Sequence, residues 1–261
     1  MDNRVRDAGR PVREFMTGVG LLVRGLGTYA RNPGLVVLGM LPALIAFALL
    51  LVALIALLVF LGPESRAVTW FANGWSDGLR DLLRVLAAIT IVGVFALLAF
   101  VAFTGLTLAV GDPFYEKISE RVEDALGGVP NAVEVPWWRG IFRGLAESIR
   151  LLVFSAVVGV LLFVGGLLPA VGQTVVPVIG ALVGGWVLAL ELTGVAGARR
   201  GLRLRERREL LRRHRFLALG FGVSVFVCFL IPFGAILGMP AAVVGATLMT
   251  RRMHGLPIQA P

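Results

Sequence analysis

Cysteine is almost missing from this chain. Cys228 is the only one in 261 residues, so no intrachain disulfide can form and the redox compartment stays unmarked. Charge is scarce as well, at 16% of residues, and four long blocks (32–63, 85–111, 151–190 and 216–250) hold no Asp, Glu, Lys or Arg. No G-x-x-x-x-G-K-[ST] loop occurs, which argues against nucleotide hydrolysis, and no turn resembles a nucleophile elbow. The two histidines, His214 and His254, stand among arginines without an H-E-x-x-H pattern or a cysteine partner, so no metal site, no cofactor and no enzyme activity are expected. The blocks also lack any acid or histidine that could relay protons, as proton-coupled carriers usually require. A passive, channel-like route fits better, with coupling through Asp112 or Glu191 at the block edges left open.

Apolar residues are abundant: 57% of the chain, with a mean hydropathy of +0.87. A membrane-crossing helix needs about 20 apolar residues. Each of the four blocks exceeds that, which predicts an all-α integral membrane protein. The Arg-rich stretch 1–31 has no short apolar core followed by a small-residue cleavage site, so it does not read as a cleaved signal peptide. The net charge of +9 lies between the blocks, most densely in 199–215, RRGLRLRERRELLRRHR, with nine arginines. In a membrane chain that pattern reads as cytoplasmic positive bias, with lipid headgroups as a further contact and no nucleic acid.

Lys and Arg number 6 before the first block, 3 in 64–84, 5 in 112–150, 9 in 191–215 and 2 in the tail. Only 64–84 is poor in them, and Glu64, Asp77 and Asp81 balance its charge. Positive residues favour the inside. The chain therefore reads as one membrane domain, 1–261, with both termini cytoplasmic. Its parts are an arm (1–31), a first span (32–63), an external loop (64–84) and a second span (85–111). A cytoplasmic helical segment (112–150), a hairpin (151–190), a basic cytoplasmic segment (191–215), a second hairpin (216–250) and a tail (251–261) follow. Trp70 and Trp75, and Trp137 and Trp138, suit interfacial anchoring.

The last two blocks start and end on the same side, so each must turn back. Pro169, Gly172 and Pro177 divide one into arms of about 18 and 14 residues; Pro232 and Pro240 divide the other. At 1.5 Å per residue such arms reach roughly 15–27 Å against a core of about 30 Å. They read as re-entrant, partly penetrating hairpins whose broken tips must be buried in protein or line a wet path. Gly180/Gly184 and Gly234/Gly238 have the spacing for close helix packing. In GDPFYEKISERVEDALGG, Asp112 fits an N-cap, Pro113 a first helical position and Gly127-Gly128 a stop. Phe114, Ile118, Val122 and Leu126 share one face, while Glu116, Glu120 and Glu123 lie mostly elsewhere. Those acids read either as a cation or partner site or as the wet side of an amphipathic helix.

PFYEKISERVE, LPAVGQTVVPVIG with GWVLALE, and IPFGAILGMPAAVVGATLM together resemble the CysZ sulfate-permease family, within the etoposide-induced-protein domain superfamily. The resemblance runs in order over about residues 15–250. It implies two long transmembrane helices with two pairs of partly penetrating helices, a homo-oligomer, and sulfate entry into the cytoplasm for cysteine synthesis. It also implies a sulfate site at a Pro-Gly-Leu-Arg-Arg stretch opening the first membrane helix. The matching stretch here is Pro33-Gly34-Leu35-Val36-Val37, which keeps the turn and replaces both arginines. An Asn expected between the two prolines of the last block is Ala235.

Arg31, Gly34 and Leu35 are the resulting anion-binding candidates, with an interfacial anchor as the other reading of Arg31. Gln173 and Thr174 would line the path. The rival class is a non-transporting scaffold or lipid-associated protein that keeps the fold without the site. A topology reporter fused after Gly172 gives no external signal if this hairpin turns back inside the bilayer; a clear external signal would make it two full spans.

Overall fold

A computed structural model describes residues 2–130, 132, 137–168, 171–231 and 234–259, without the side chains of 2–9, 62–66, 137–148 and 171. Eight helices and no strand occur among the described residues. They are α1 (Asp2–Arg31), α2 (Pro33–Val68), α3 (Asp77–Ala125), α4 (Trp137–Gly166), α5 (Val171–Ala198), α6 (Leu204–Arg213), α7 (Arg215–Leu230) and α8 (Gly234–Met253). The all-α reading of the blocks is met.

The joints differ from those the sequence predicts. Asp112 and Pro113 do not start a helix, because α3 runs through them as 49 residues. Pro177 and Pro240 lie inside α5 and α8 and break neither. A proline deletes one N–H and crowds one carbonyl. Breaking the helix in apolar surroundings would strand more polar groups at several kcal/mol each. Continuing the helix is the cheaper outcome. Pro169, Pro232 and the side chains of Trp137 and Trp138 lie outside the described residues.

The arms are consequently longer than predicted. Five helices suffice to cross a membrane by length and composition: Pro33–Leu61, Asp77–Ala125, Ile149–Gly166, Gly172–Ala198 and Gly234–Met253. Two full spans were the expectation, and the difference comes from helices that run past charged block edges. Helix α5 continues through Glu191, and α8 through Arg251. Helix α7 is shorter, with 16 residues, and it meets the 10-residue α6 at 105°. Helices α4 and α5 do form a hairpin. A Cβ on Gly165 would lie 3.4 Å from Val176, and one on Gly180 3.7 Å from Leu162. Arms that close in this antiparallel order meet at the turn after Gly166.

Two compact units divide the chain. One, Met40–Asp112, contains most of α2, the 3-10 turn Trp70–Ala72 and the first part of α3. Its turn is held by Thr69 and Ala72, both buried, by the edge-on Phe71 and Trp75 rings, and by Arg84, which donates to Asn73 Oδ1 at 3.3 Å. Trp70 and Trp75 are exposed.

The other unit joins residues up to Gly39 to those from Pro113 onward. Helix α8 is its centre, buried without interruption from Pro240 to Arg251. Helices α1, α5 and α7 surround it, α4 packs on α5, and α6 braces α5. Close approach depends on glycines within the predicted spacing pairs and on others besides. A Cβ on Gly18 of α1 would stand 2.6 Å from the Phe221 nitrogen of α7, and one on Gly220 would stand 2.7 Å from the Phe15 carbonyl carbon. Gly185 of α5 and Gly222 of α7 face each other in the same way. Of the predicted pairs, Gly184 accommodates the Phe226 ring, Gly234 has no room for a Cβ beside the Cys228 backbone, a Cβ on Gly238 would lie 3.2 Å from Cys228 Sγ, and Gly180 has ordinary room.

The C-terminal ends of three helices converge on one buried acid. Glu123 is fully buried, with Oε2 2.5 Å from Arg251 Nη1 and Oε1 2.7 Å from Arg200 Nη1. Arg251 also donates to the carbonyls of Leu126 (2.6 Å), Gly128 (2.7 Å) and Pro257 (2.8 Å). Gly127 and Gly128 end α3 as predicted, with φ of 95° and 78° and a 2.8 Å bond from Gly128 N to the Glu123 carbonyl. The acids of 112–126 thus have different fates: Glu120 pairs with Lys117 at the surface, while Glu123 is internal. Arg200 and Arg207 are likewise buried members of the basic segment, so its arginines are not all solvated.

Removing one partner of a buried charge set typically costs about 3–5 kcal/mol. Glu123→Ala should therefore lower the thermal midpoint in detergent sharply, and an unchanged midpoint would contradict the cluster's role. Gly220→Ala should broaden or shift the size-exclusion peak, while Gly105→Ala, with open space around it, should not.

Candidate functional site

Helix α1 ends at Arg31 and α2 begins at Pro33, with Asn32 between them. Asn32 Nδ2 donates to the Thr28 carbonyl at 2.7 Å, and its own carbonyl accepts the N–H groups of Leu35 (2.9 Å) and Val36 (3.1 Å). Pro33 has no N–H to place, which suits the first helical position. Gly34 is then the first-turn residue whose N–H has no acceptor among the described residues, and it is exposed. An open N–H at a helix start, at the positive end of the helix dipole, favours an anion.

Tyr29 fixes the geometry of this joint. Its hydroxyl donates to the Val36 carbonyl at 3.3 Å. In a straight helix seven residues would separate these groups by roughly 10 Å along the axis, with the Tyr side chain leaning the wrong way. The chain therefore bends at Asn32, and burial pushes the Tyr29 phenol above its ordinary range.

The predicted residues fall unequally around the turn. Arg31 is exposed, with no ion-pair partner among the described residues. Leu35 is 6% exposed and belongs to the hydrophobic core, so its side chain anchors the turn and only its backbone is near the open face. Val36 is half-buried and Val37 exposed. Gln173 and Thr174 are exposed in the first turn of α5, and no described contact joins them to Gly34.

One residue was missed. Arg121, on the last turns of α3, donates from Nη1 to the Gly34 carbonyl at 3.3 Å. Its guanidinium has further N–H groups and no carboxylate partner among the described residues, so it brings a positive charge to the turn that Val36 and Val37 cannot supply. In SERVED it reads as one more surface charge beside Glu120. The usable signal is its register, beside Val122 and three residues after Ile118, both buried. That position lies at the edge of α3's packed face, where a long side chain reaches the neighbouring element.

The family model described as Sulfate transporter CysZ/Etoposide-induced protein 2.4 matches residues 21–240. A protein named Sulfate transporter CysZ from Pseudomonas fluorescens strain Pf0-1 is 30% identical over 228 residues, covering 86% of this chain and 89% of that protein. Another of that name from strain Pf-5 is 32% identical over 160 residues, and the match spans 60% of this chain and 64% of the relative's length. The one from Vibrio parahaemolyticus is 28% identical over 209 residues, with coverage of 75% and 83%. The family match alone takes in most of the chain, including the Gly34 turn, Arg121 and the α4–α5 hairpin. This is a multi-pass membrane protein that belongs to the sulfate transporter CysZ/etoposide-induced protein 2.4 family.

Proposed function

We propose that this chain carries sulfate or a closely related oxyanion across the cell membrane into the cytoplasm, by a channel-like route that supplies sulfur for cysteine synthesis. The observation that carries this reading is the Arg121 guanidinium on the Gly34 turn. Sulfate needs several convergent donors, and charge-assisted ones are about twice as strong as neutral ones. The Gly34 N–H, the remaining N–H groups of Arg121 and the nearby Arg31 make such a set without the family's arginine pair. The names of the relatives support sulfate as the cargo.

The rest of the route is uncharged. Gln173 and Thr174, in the first turn of α5, offer amide and hydroxyl groups at the hairpin that the sequence reading puts within the membrane. Positive charge concentrated before α2 and in 191–215 supports cytoplasmic termini. Very little of α2's or α3's apolar windows is buried (6% and 0%), which leaves their surfaces to lipid and to further copies in a homo-oligomer.

Uptake of radiolabelled sulfate into proteoliposomes tests the reading. A charge-assisted hydrogen bond contributes about 1.5–3 kcal/mol, so Arg121→Ala should reduce sulfate binding by roughly tenfold or more, and Arg121→Lys by less. Gln173→Leu should slow uptake, and an unchanged rate would remove Gln173 from the path. Wild-type vesicles that pass no anion at all would leave the scaffold or lipid-associated role in place of transport.

A further inference from the structure

Helix α1 has three faces, and only one of them is used inside the protein. Leu21, Leu22, Gly18 and Gly25 are buried against α7 and α8. A second face is apolar and open: Val12 is 65% exposed, Met16 59%, Val23 62% and Leu26 42%. At 3.6 residues per turn these four fall within a sector of roughly 80°. The third face carries Arg13, Arg24 and Arg31, aligned within roughly 20° of one another and flanking the apolar stripe. All three are exposed, with no ion-pair partner among the described residues, whereas Arg10 on the same helix pairs with Glu14.

Two glycines stand in the arginine row. Gly20 lies between Arg13 and Arg24, and Gly27 between Arg24 and Arg31; a Cβ on either would meet nothing within 4 Å. The row is therefore a line of positive charges with bare backbone along one side of each gap and a threonine, Thr17 or Thr28, along the other, with about 10 Å between Arg24 and Arg31 along the axis. A phosphate can settle against such a gap with a guanidinium on either side.

The chain also sets where this helix lies. Arg31 is two residues before the membrane-length stretch Pro33–Leu61, and the Tyr29–Val36 bond requires a bend between them. Helix α1 thus meets the start of α2 at an angle and does not extend it. An apolar stripe beside a basic row, on a helix tied to a membrane entry point, matches an interfacial helix.

We infer that α1 lies along the membrane surface, its Val12–Leu26 stripe in the acyl boundary and its Arg13–Arg24–Arg31 row binding the phosphates of anionic phospholipids. A second copy of this chain seated on the stripe is the competing occupant. The inference does not depend on which anion is transported.

The test uses the full chain in nanodiscs of phosphatidylcholine with and without phosphatidylglycerol. A spin label at Val23→Cys, with Cys228 replaced by serine, should relax with oxygen and be shielded from an aqueous nickel reagent. Met16→Cys serves as the second labelled site. Free access of the nickel reagent at both would overturn the placement, and so would dipolar broadening between labels, which would make the stripe a contact between copies. Native mass spectrometry then counts retained phosphatidylglycerol in wild type and in the Arg13→Ala, Arg24→Ala double variant. Each arginine near an anionic surface contributes about 1 kcal/mol, or roughly fivefold. Retention should therefore fall many-fold in the double variant, and equal retention would overturn the role of the arginine row.

Discussion

A carboxylate with no access to water organises one unit of this protein. Glu123 could not remain charged there alone, and burying even a paired charge costs several kcal/mol per ion. Two guanidiniums from distant parts of the chain meet it, Arg251 in the last turn of α8 and Arg200 just after α5. Arg251 directs further donors to the carbonyls at the end of α3, where the helix dipole is negative, and its Nε to the Pro257 carbonyl. One ion set therefore holds together three helix ends that would otherwise be separate exits from an apolar bundle. Above it Ser119 and Thr247 exchange a hydrogen bond at 2.9 Å, which extends the α3–α8 contact by one turn.

Charge and block length made the helical class legible, because nothing but helices satisfies the backbone across thirty apolar residues. The stop at Gly127-Gly128 was legible for a local reason: two successive positive φ angles suit glycine alone. The prolines misled for the opposite reason. Pro113, Pro177 and Pro240 carry a local penalty that longer-range packing outweighs, and a sequence displays the penalty without the packing. Glu123 shows the same gap. Its position one step from Val122 suggests a wet edge, and only α5 and α8 folding over that edge makes it internal.

The site was half visible. Pro33-Gly34 announced a helix start, and the loss of the two arginines at 36 and 37 was plain. The guanidinium that reaches the turn was not, because Arg121 lies 87 residues away from Gly34 and shares no motif with it. In the proposed site the charge comes from the helix packed beside the turn and not from the turn itself.

The glycine crossings between α1, α5, α7 and α8 have a thermodynamic side as well. Where Gly18 meets Gly220 and Gly185 meets Gly222, the surfaces in contact are largely backbone. Such a contact freezes no side-chain rotamers, whereas ordering longer side chains costs up to about 2 kcal/mol each. The bundle gains its van der Waals contact there without that loss of disorder. Where such a crossing lies in lipid, the hydrophobic effect no longer drives helices together, and that saving helps a thin, weakly attractive contact to hold.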